Sequence, residues 1–235
     1  MQWQKESTFI KSNRLSDVFS EPLNLIEIRV LQMVMAEFWR SPTLPTDDSK
    51  GLIRIHQSQY IHHYNVCRVA GYKALQQSIG LQHKSFRFKD SPDITHKWVN
   101  SMSYMTNEGC LAIGLSEAVL AEIPCDKEVM PASNFTLFDL TEVARLNSVF
   151  SLRLFDILKP WCVAGVSPLY SIQELRLLLG LSADQYRRMT DFKRVCISAA
   201  VENINKELGW DVKVKQKKRG RNINTIQFFI NGVSK

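Results

Sequence analysis

Apolar residues recur every three or four positions through residues 23–39, where Leu25, Ile28, Leu31, Met35 and Phe38 share one face behind Pro22. That period predicts an amphipathic helix. Residues 41–50 carry Pro and Asp and read as a loop. Residues 52–55 alternate as a short strand, Ser58 can cap a short helix, and residues 68–81 predict a second helix with Tyr72, Leu75 and Ile79 turned inward. These two helices stand in helix-turn-helix order. Residues 86–89 and 98–104 alternate as strands about residues 90–93, and Asn107-Glu108-Gly109 turns the chain into a further strand at 111–115. A hairpin in that place is a wing.

Residues 116–123 predict a short helix, and residues 124–134 have the composition of a linker. The chain is therefore expected to divide into residues 1–133 and 134–235. The second part begins with residues 140–146 and a helix over 148–161 in which Leu152, Phe155 and Leu158 keep helical period. Ser171-Ile172-Gln173-Glu174 is a capping box ahead of Leu175, Leu178 and Leu179, and Gly180 stops that helix. Thr190 or Asp191 caps the next helix, which runs to Leu208 before Gly209. Val212 and Val214, then Ile223, Ile226, Phe228 and Ile230, alternate as two strands around residues 216–221. Both halves read helix, helix, helix, strand, strand. The expected fold is α+β, two tandem winged-helix domains, each a helix-turn-helix with a β-wing. The repeat rests on element order, for little beyond Tyr72-Lys73 and Phe192-Lys193 matches in residue type.

Composition narrows the function. At 235 residues the chain can hold two domains of about 100 residues, and 45% hydrophobic content supplies a core for each. No run approaches the roughly 18 apolar residues of a membrane span, and the polar first 11 residues hold no signal core, so the expected location is the cytoplasm. Five scattered cysteines without a C-x-x-C pair argue against a disulfide framework or zinc module. The adjacent His62 and His63 point to different helix faces. No metal, cofactor or catalytic residue is expected. The net charge of +7 is not spread evenly: between residues 186 and 221 eleven Lys and Arg stand against four Asp and Glu, and the rest of the chain is balanced. Charge concentrated in this way points to a polyanionic partner.

In a winged helix the third helix enters the major groove and must carry one apolar and one polar stripe. At 100° per residue Phe192, Cys196, Ile197, Ala200, Ile204 and Leu208 gather on one side, and Asp191, Arg194, Ser198 and Asn205 on the other. Arg194, Ser198 and Asn205 have the donor and acceptor types that read base edges, Arg194 first, since arginine pairs the two guanine acceptors. Arg187, Arg188 and Lys193 flank the helix start as phosphate candidates. Lys217, Lys218, Arg219 and Arg221 form the expected wing tip, with Gly220 letting the turn approach DNA.

With these residues placed, the chain resembles the initiator replication (Rep) proteins of theta-replicating bacterial plasmids that carry iterons. The likeness runs through Lys11-Ser12-Asn13 with Leu15, Glu27-Ile28-Arg29, and the hairpin from Trp98-Val99 to Tyr104 with Gly109. Ser151-Leu152-Arg153-Leu154-Phe155-Asp156-Ile157-Leu158 is similar to the family's R-L-Y-E-L-L segment, with Phe155 where Tyr is usual. The segments from Glu174 to Gly180, Asp191 to Arg194, Ile204-Asn205, Lys218-Arg219-Gly220-Arg221 and Ile226-Gln227-Phe228 complete it. The resemblance implies two winged-helix domains that bind short direct repeats in double-stranded origin DNA. It implies a C-terminal domain that does most sequence reading and an N-terminal one that dimerises and adds DNA contacts, making Arg68, Tyr72, Lys73 and Lys84 secondary candidates. It further implies monomers on the direct repeats, dimers that bind an inverted repeat and repress the protein's own promoter, and host initiator and helicase as partners. Two alternatives share the basic character: a plain transcriptional regulator, and a rolling-circle nickase. The nickase needs two histidines one residue apart beside a metal, and His62-His63-Tyr64 lacks that spacing.

Overall fold

In the computed structural model, which describes residues 7–40, 52–124, 134–219 and 222–231, the chain opens on two strands, β1 (Thr8–Ser12) and β2 (Val18–Ser20). Helix α1 (Leu25–Arg40) follows. A reciprocal cap sets its start: the Asn24 side chain accepts from the Glu27 amide at 2.9 Å, and the Glu27 carboxylate accepts from the Asn24 amide at 2.8 Å. Strand β3 (Ile53–His56), helix α2 (Gln57–Tyr64) and helix α3 (Arg68–Gln77) come next. A hairpin of β4 (Ser85–Phe88) and β5 (Ser91–Lys97) then joins β2 in a sheet ordered β2-β4-β5. The wing is β6 (Val99–Met105) and β7 (Cys110–Leu115), and β3 lies against β7 in the order β3-β7-β6. This first unit is a winged helix with one hairpin inserted ahead of its wing.

Strand β8 (Phe135–Asp139) returns to pair antiparallel with β1 and leads into α4 (Leu140–Arg145). The second unit is α5 (Val149–Leu158), β9 (Tyr170–Ser171), α6 (Ile172–Leu178), a long helix α7, and the hairpin β10 (Asp211–Arg219) and β11 (Asn222–Asn231). Helix α7 is composite: an α turn Met189–Asp191, a π segment Phe192–Ser198 and an α stretch Ala199–Leu208 run together. Its sheet is ordered β10-β11-β9, the same plan as β6-β7-β3 in the first unit. Each winged helix thus closes its wing with the short strand that precedes its helix-turn-helix.

The expected division at residue 133 lies outside the described residues, as does the 41–50 insert. A cut there separates β8 from its partner β1, because the chain beyond the cut first goes back to its own N-terminus. The next helix after α4 begins at Val149. One apolar core runs through both units. Phe9 and Phe138 stack with centroids 5.5 Å apart, Phe138 meets Phe155 of α5 at 6.0 Å, and Phe155 meets Trp210 at 5.4 Å.

A buried polar group crosses the same junction. Lys11 Nζ of β1 lies 2.6 Å from Asp156 Oδ1 of α5, both out of solvent. Arg153, one turn earlier, donates to the Leu178 carbonyl at 2.7 Å and to the Val18 carbonyl at 3.2 Å. Burial lowers the Lys11 ammonium below its ordinary range, and the Asp156 carboxylate works against that shift. Nearby, Lys89 in the β4–β5 turn pairs with Asp17 at 3.3 Å and with Glu174 of α6. The segment between β1 and β2, the inserted hairpin and the second winged helix are therefore tied by charges as well as rings.

Candidate nucleic-acid interface

The apolar stripe of α7 is where its period puts it. Phe192, Cys196, Ile197, Ala200 and Ile204 are buried against the second unit's core. Burial pushes the Cys196 thiol up to about 12, which makes it a packing residue rather than a reactive one. Cys67, by contrast, is exposed. The opposite side of α7 is open to solvent through Arg194, Ser198, Ala199, Glu202 and Lys206. The π segment widens the helix at Phe192–Ser198, and such segments concentrate at functional sites. Gly209, at φ +71, ends the helix in the left-handed region that glycine adopts without strain.

Arg194 has a side chain three-quarters exposed, with Asp191 at 3.3 Å as an exposed, weak ion-pair partner. A guanidinium so placed is free to exchange that carboxylate for a guanine edge. Ser198, one step along the ridge, is exposed as well. Asn205 is not part of the reading surface. Its amide donates to the Val212 carbonyl at 3.2 Å and its carbonyl accepts from the Val212 amide at 2.8 Å. The chain reverses at Gly209 and lays the start of β10 over the last helical turn, so Asn205 serves as a backbone clamp. In its place Glu202 occupies the ridge beyond Ser198, a residue that stepping by four from Arg194 would have found. A carboxylate there can accept from a cytosine amino group.

The approach to α7 is held by an arginine the sequence did not single out. Arg176 of α6 donates to the carbonyls of Gln185 at 2.5 Å and Tyr186 at 3.0 Å, closing the loop that carries Arg187 and Arg188. Tyr186 in that loop has φ +46, a strained value for a side chain of its size, and its ring meets Phe150 edge-on at 5.7 Å. Arg188 is exposed at the helix start, Arg187 is exposed and paired with Asp184, and Lys193 is half-buried.

On the wing, β10 and β11 pair along their length, with a register shift between Lys217 and Lys218. Successive strand residues point to opposite faces. Val212, Val214 and Gln216 face the helices, so Lys217 faces away from them while Lys218 returns to the helix side. The expected single cluster is therefore split between two faces. Gly220 and Arg221 lie outside the described residues, and Arg219 closes β10.

Two of the four secondary candidates, Arg68 and Tyr72, line a cleft of about 440 Å³ in the first unit, between the start of α3 and the wing turn, with Gln57, Asn107 and Gly109; Lys73 and Lys84 lie outside it. Arg68 and Lys73 are exposed. Tyr72 is half-buried, its ring 5.6 Å edge-on from Tyr104 and its hydroxyl accepting from Gln76 at 2.9 Å. Lys84 is half-buried where the chain enters β4. Among the described residues no group of three or more His, Cys, Asp or Glu is placed to hold a metal ion.

The division of labour on α7 and its wing gives opposite signatures on mutation. Arg194→Ala should cost about 1–3 kcal/mol on the preferred sequence and little on others, and Lys218→Ala should weaken all duplexes alike. Anisotropy titrations on matched and scrambled duplexes measure both. A uniform loss from both substitutions would refute the assignment of Arg194 to bases.

Comparison with known proteins places both units. Residues 8–159 match the model of the family described as Initiator Replication protein, WH1, and residues 171–230 that of Initiator Rep protein, WH2. Residues 160–170, between α5 and the end of β9, separate the two matches. Among solved structures, the chain is similar to the Pi initiator protein in a crystal structure with iteron DNA, at 19% identity over 97% of this chain and 98% of that one, with a TM-score of 0.75. That likeness establishes a shared fold. The WH1 domain of a replication protein isolated from a multiple sclerosis patient is 24% identical over 42% of this chain and 79% of its own, with a TM-score of 0.33.

Proposed function

Since this chain belongs to the initiator replication (Rep) protein family, we propose that it starts plasmid replication by binding iterons, short direct repeats in the duplex DNA of the origin. The observation that carries the reading is the solvent face of α7. An exposed Arg194 and Ser198 lie over a buried apolar stripe, on the helix that a winged helix sends into the major groove. The reading also draws on the Pi initiator, whose structure contains iteron DNA. The second winged helix reads bases through this ridge, and the first adds contacts through Arg68 in its cleft and the exposed Lys73 on α3. The protein works by occupancy rather than by a covalent step, and no cofactor is required.

Symmetry separates two states. Direct repeats are read by monomers set head to tail, whereas an inverted repeat suits a two-fold dimer. In the proposed scheme the monomer starts replication, and the dimer represses the protein's own promoter. The initiator and helicase of the bacterial host are recruited in the cytoplasm. No helix among the described residues is long and apolar enough to cross a membrane.

A plasmid carrying this gene and its neighbouring repeats as its sole origin tests the proposal. Replication in a suitable host is the expected result, with loss of maintenance for Arg194→Ala. Promoter binding without replication would make the protein a regulator. A nicked, covalently linked product from supercoiled origin plasmid with a divalent metal would make it a nickase.

A further inference from the structure

The outer face of the second wing carries a row of cations that base reading leaves unused. Lys213, Lys215 and Lys217 alternate with Val212, Val214 and Gln216 along β10, and all three lysines are exposed. Val212, Ile226, Phe228 and Ile230 are buried against the helices, so the lysines project from the side of the sheet turned away from α7. Opposite them on β11 stand Phe229, Gln227 and Thr225, all uncharged. Lys215 Nζ sits 5.9 Å from the centre of the Phe229 ring, a contact that steadies its ammonium on the sheet. The only carboxylate on either strand is Asp211, 3.1 Å from Lys213 in an exposed and therefore weak pair.

Spacing and position choose the partner. Alternate strand residues recur about every 6.8 Å, close to the separation of neighbouring phosphates along one nucleic-acid strand. Among the described residues β10 is also an edge strand, with no strand paired along its outer side. The row begins at the wing end, beside Lys218, and runs back along the hairpin. We propose that Lys213, Lys215 and Lys217 form a phosphate track for duplex DNA flanking the repeat, continuous with the wing and separate from the base-reading ridge. This rests on the DNA-binding reading of α7. It deepens that reading by giving the protein a contact with DNA outside its recognition sequence.

The test compares two duplexes, one just spanning a repeat and one extended by about a helical turn at each end, each also made with the repeat scrambled. The protein is used as wild type and as the double variant Lys213→Gln, Lys215→Gln, which leaves the wing-tip Lys217 in place. These exposed substitutions leave the core untouched, and circular dichroism checks the fold. Wild type should bind the extended duplex on the order of tenfold more tightly than the short one. Its salt slope there should be steeper by about 2.7, the value for three phosphate contacts. The double variant should lose most of that gain and keep short-duplex affinity within about twofold, since the short duplex offers Lys213 and Lys215 no phosphate. Three results would overturn the track: a gain retained by the variant, no gain in wild type, or an equal loss on short and extended duplexes. Failure of wild type to prefer the repeat over its scrambled form would instead remove the base-reading assignment, and the scrambled pair would still decide the track.

Discussion

Raising monovalent salt from 50 to 200 mM should weaken binding of this protein to duplex DNA by roughly three to five decades, the loss expected for six to ten phosphate contacts. The cations available for those contacts lie on two surfaces. Arg187, Arg188, Lys193 and Lys218 border the α7 ridge and its wing, and Arg68, Lys73 and Lys84 lie on the first unit, Arg68 in the α3 cleft. Each phosphate neutralised releases condensed counterions, and dissolved salt opposes that release. The pair of Arg187 with Asp184 trims the effect little, because both side chains are about three-quarters exposed and such pairs are worth at most about 1 kcal/mol. Anisotropy titrations at four or five salt concentrations give the slope directly. A logarithmic slope shallower than about −3 would mean that only one of the two surfaces touches DNA.

Asp156→Ala should lower the stability of the whole chain by about 3–5 kcal/mol, the cost of leaving a buried charge without its partner. The substitution strands Lys11, which lies beneath the core with its ammonium 2.6 Å from the lost oxygen. It also removes the carboxylate 3.9 Å from Arg153, whose remaining partners are the carbonyls of Val18 and Leu178. The control is the double substitution Lys11→Met with Asp156→Leu, which removes both members of the pair and keeps the heavy-atom branching of the carboxylate. It should recover most of the loss, because an apolar pair carries no desolvation penalty. Urea unfolding measures both. A single variant within about 1 kcal/mol of wild type would show that water reaches this junction.

What the sequence made legible was local. The capping box at Ser171 and Glu174, the stops at Gly180 and Gly209, and the apolar stripe of α7 depend on residues within a turn or two of one another. The wing of each unit follows from alternation and turn residues. Pairings that depend on distant segments were not legible: β1 with β8, β2 with the inserted hairpin, and β3 and β9 with their wings. Strands of two to five residues carry too few positions for alternation to show, and the partner of β1 stands more than 120 residues away. Lys11 and Arg153 read as family motif residues, although each is buried in a charge network that joins the two winged helices.

The reading surface was legible in part for the same reason. Arg194 and Ser198 follow from helical phase, and both are exposed. Asn205 shares that phase and yet is taken up by Val212, because the reversal at Gly209 brings β10 over it. Lys217 and Lys218 are neighbours in sequence and fall on opposite faces of β10 because successive strand residues alternate. Arg176 acts through backbone carbonyls nine and ten residues away, which no side-chain pattern records.

The central claim is that the α7 ridge reads the iterons of this protein's own origin. The most direct test is a competition titration near physiological salt between a duplex bearing one such repeat and a scrambled duplex of equal length and composition. The account predicts a preference for the repeat of at least about a thousandfold, the lower range for specific DNA-binding proteins. Equal affinity for the two duplexes would contradict it.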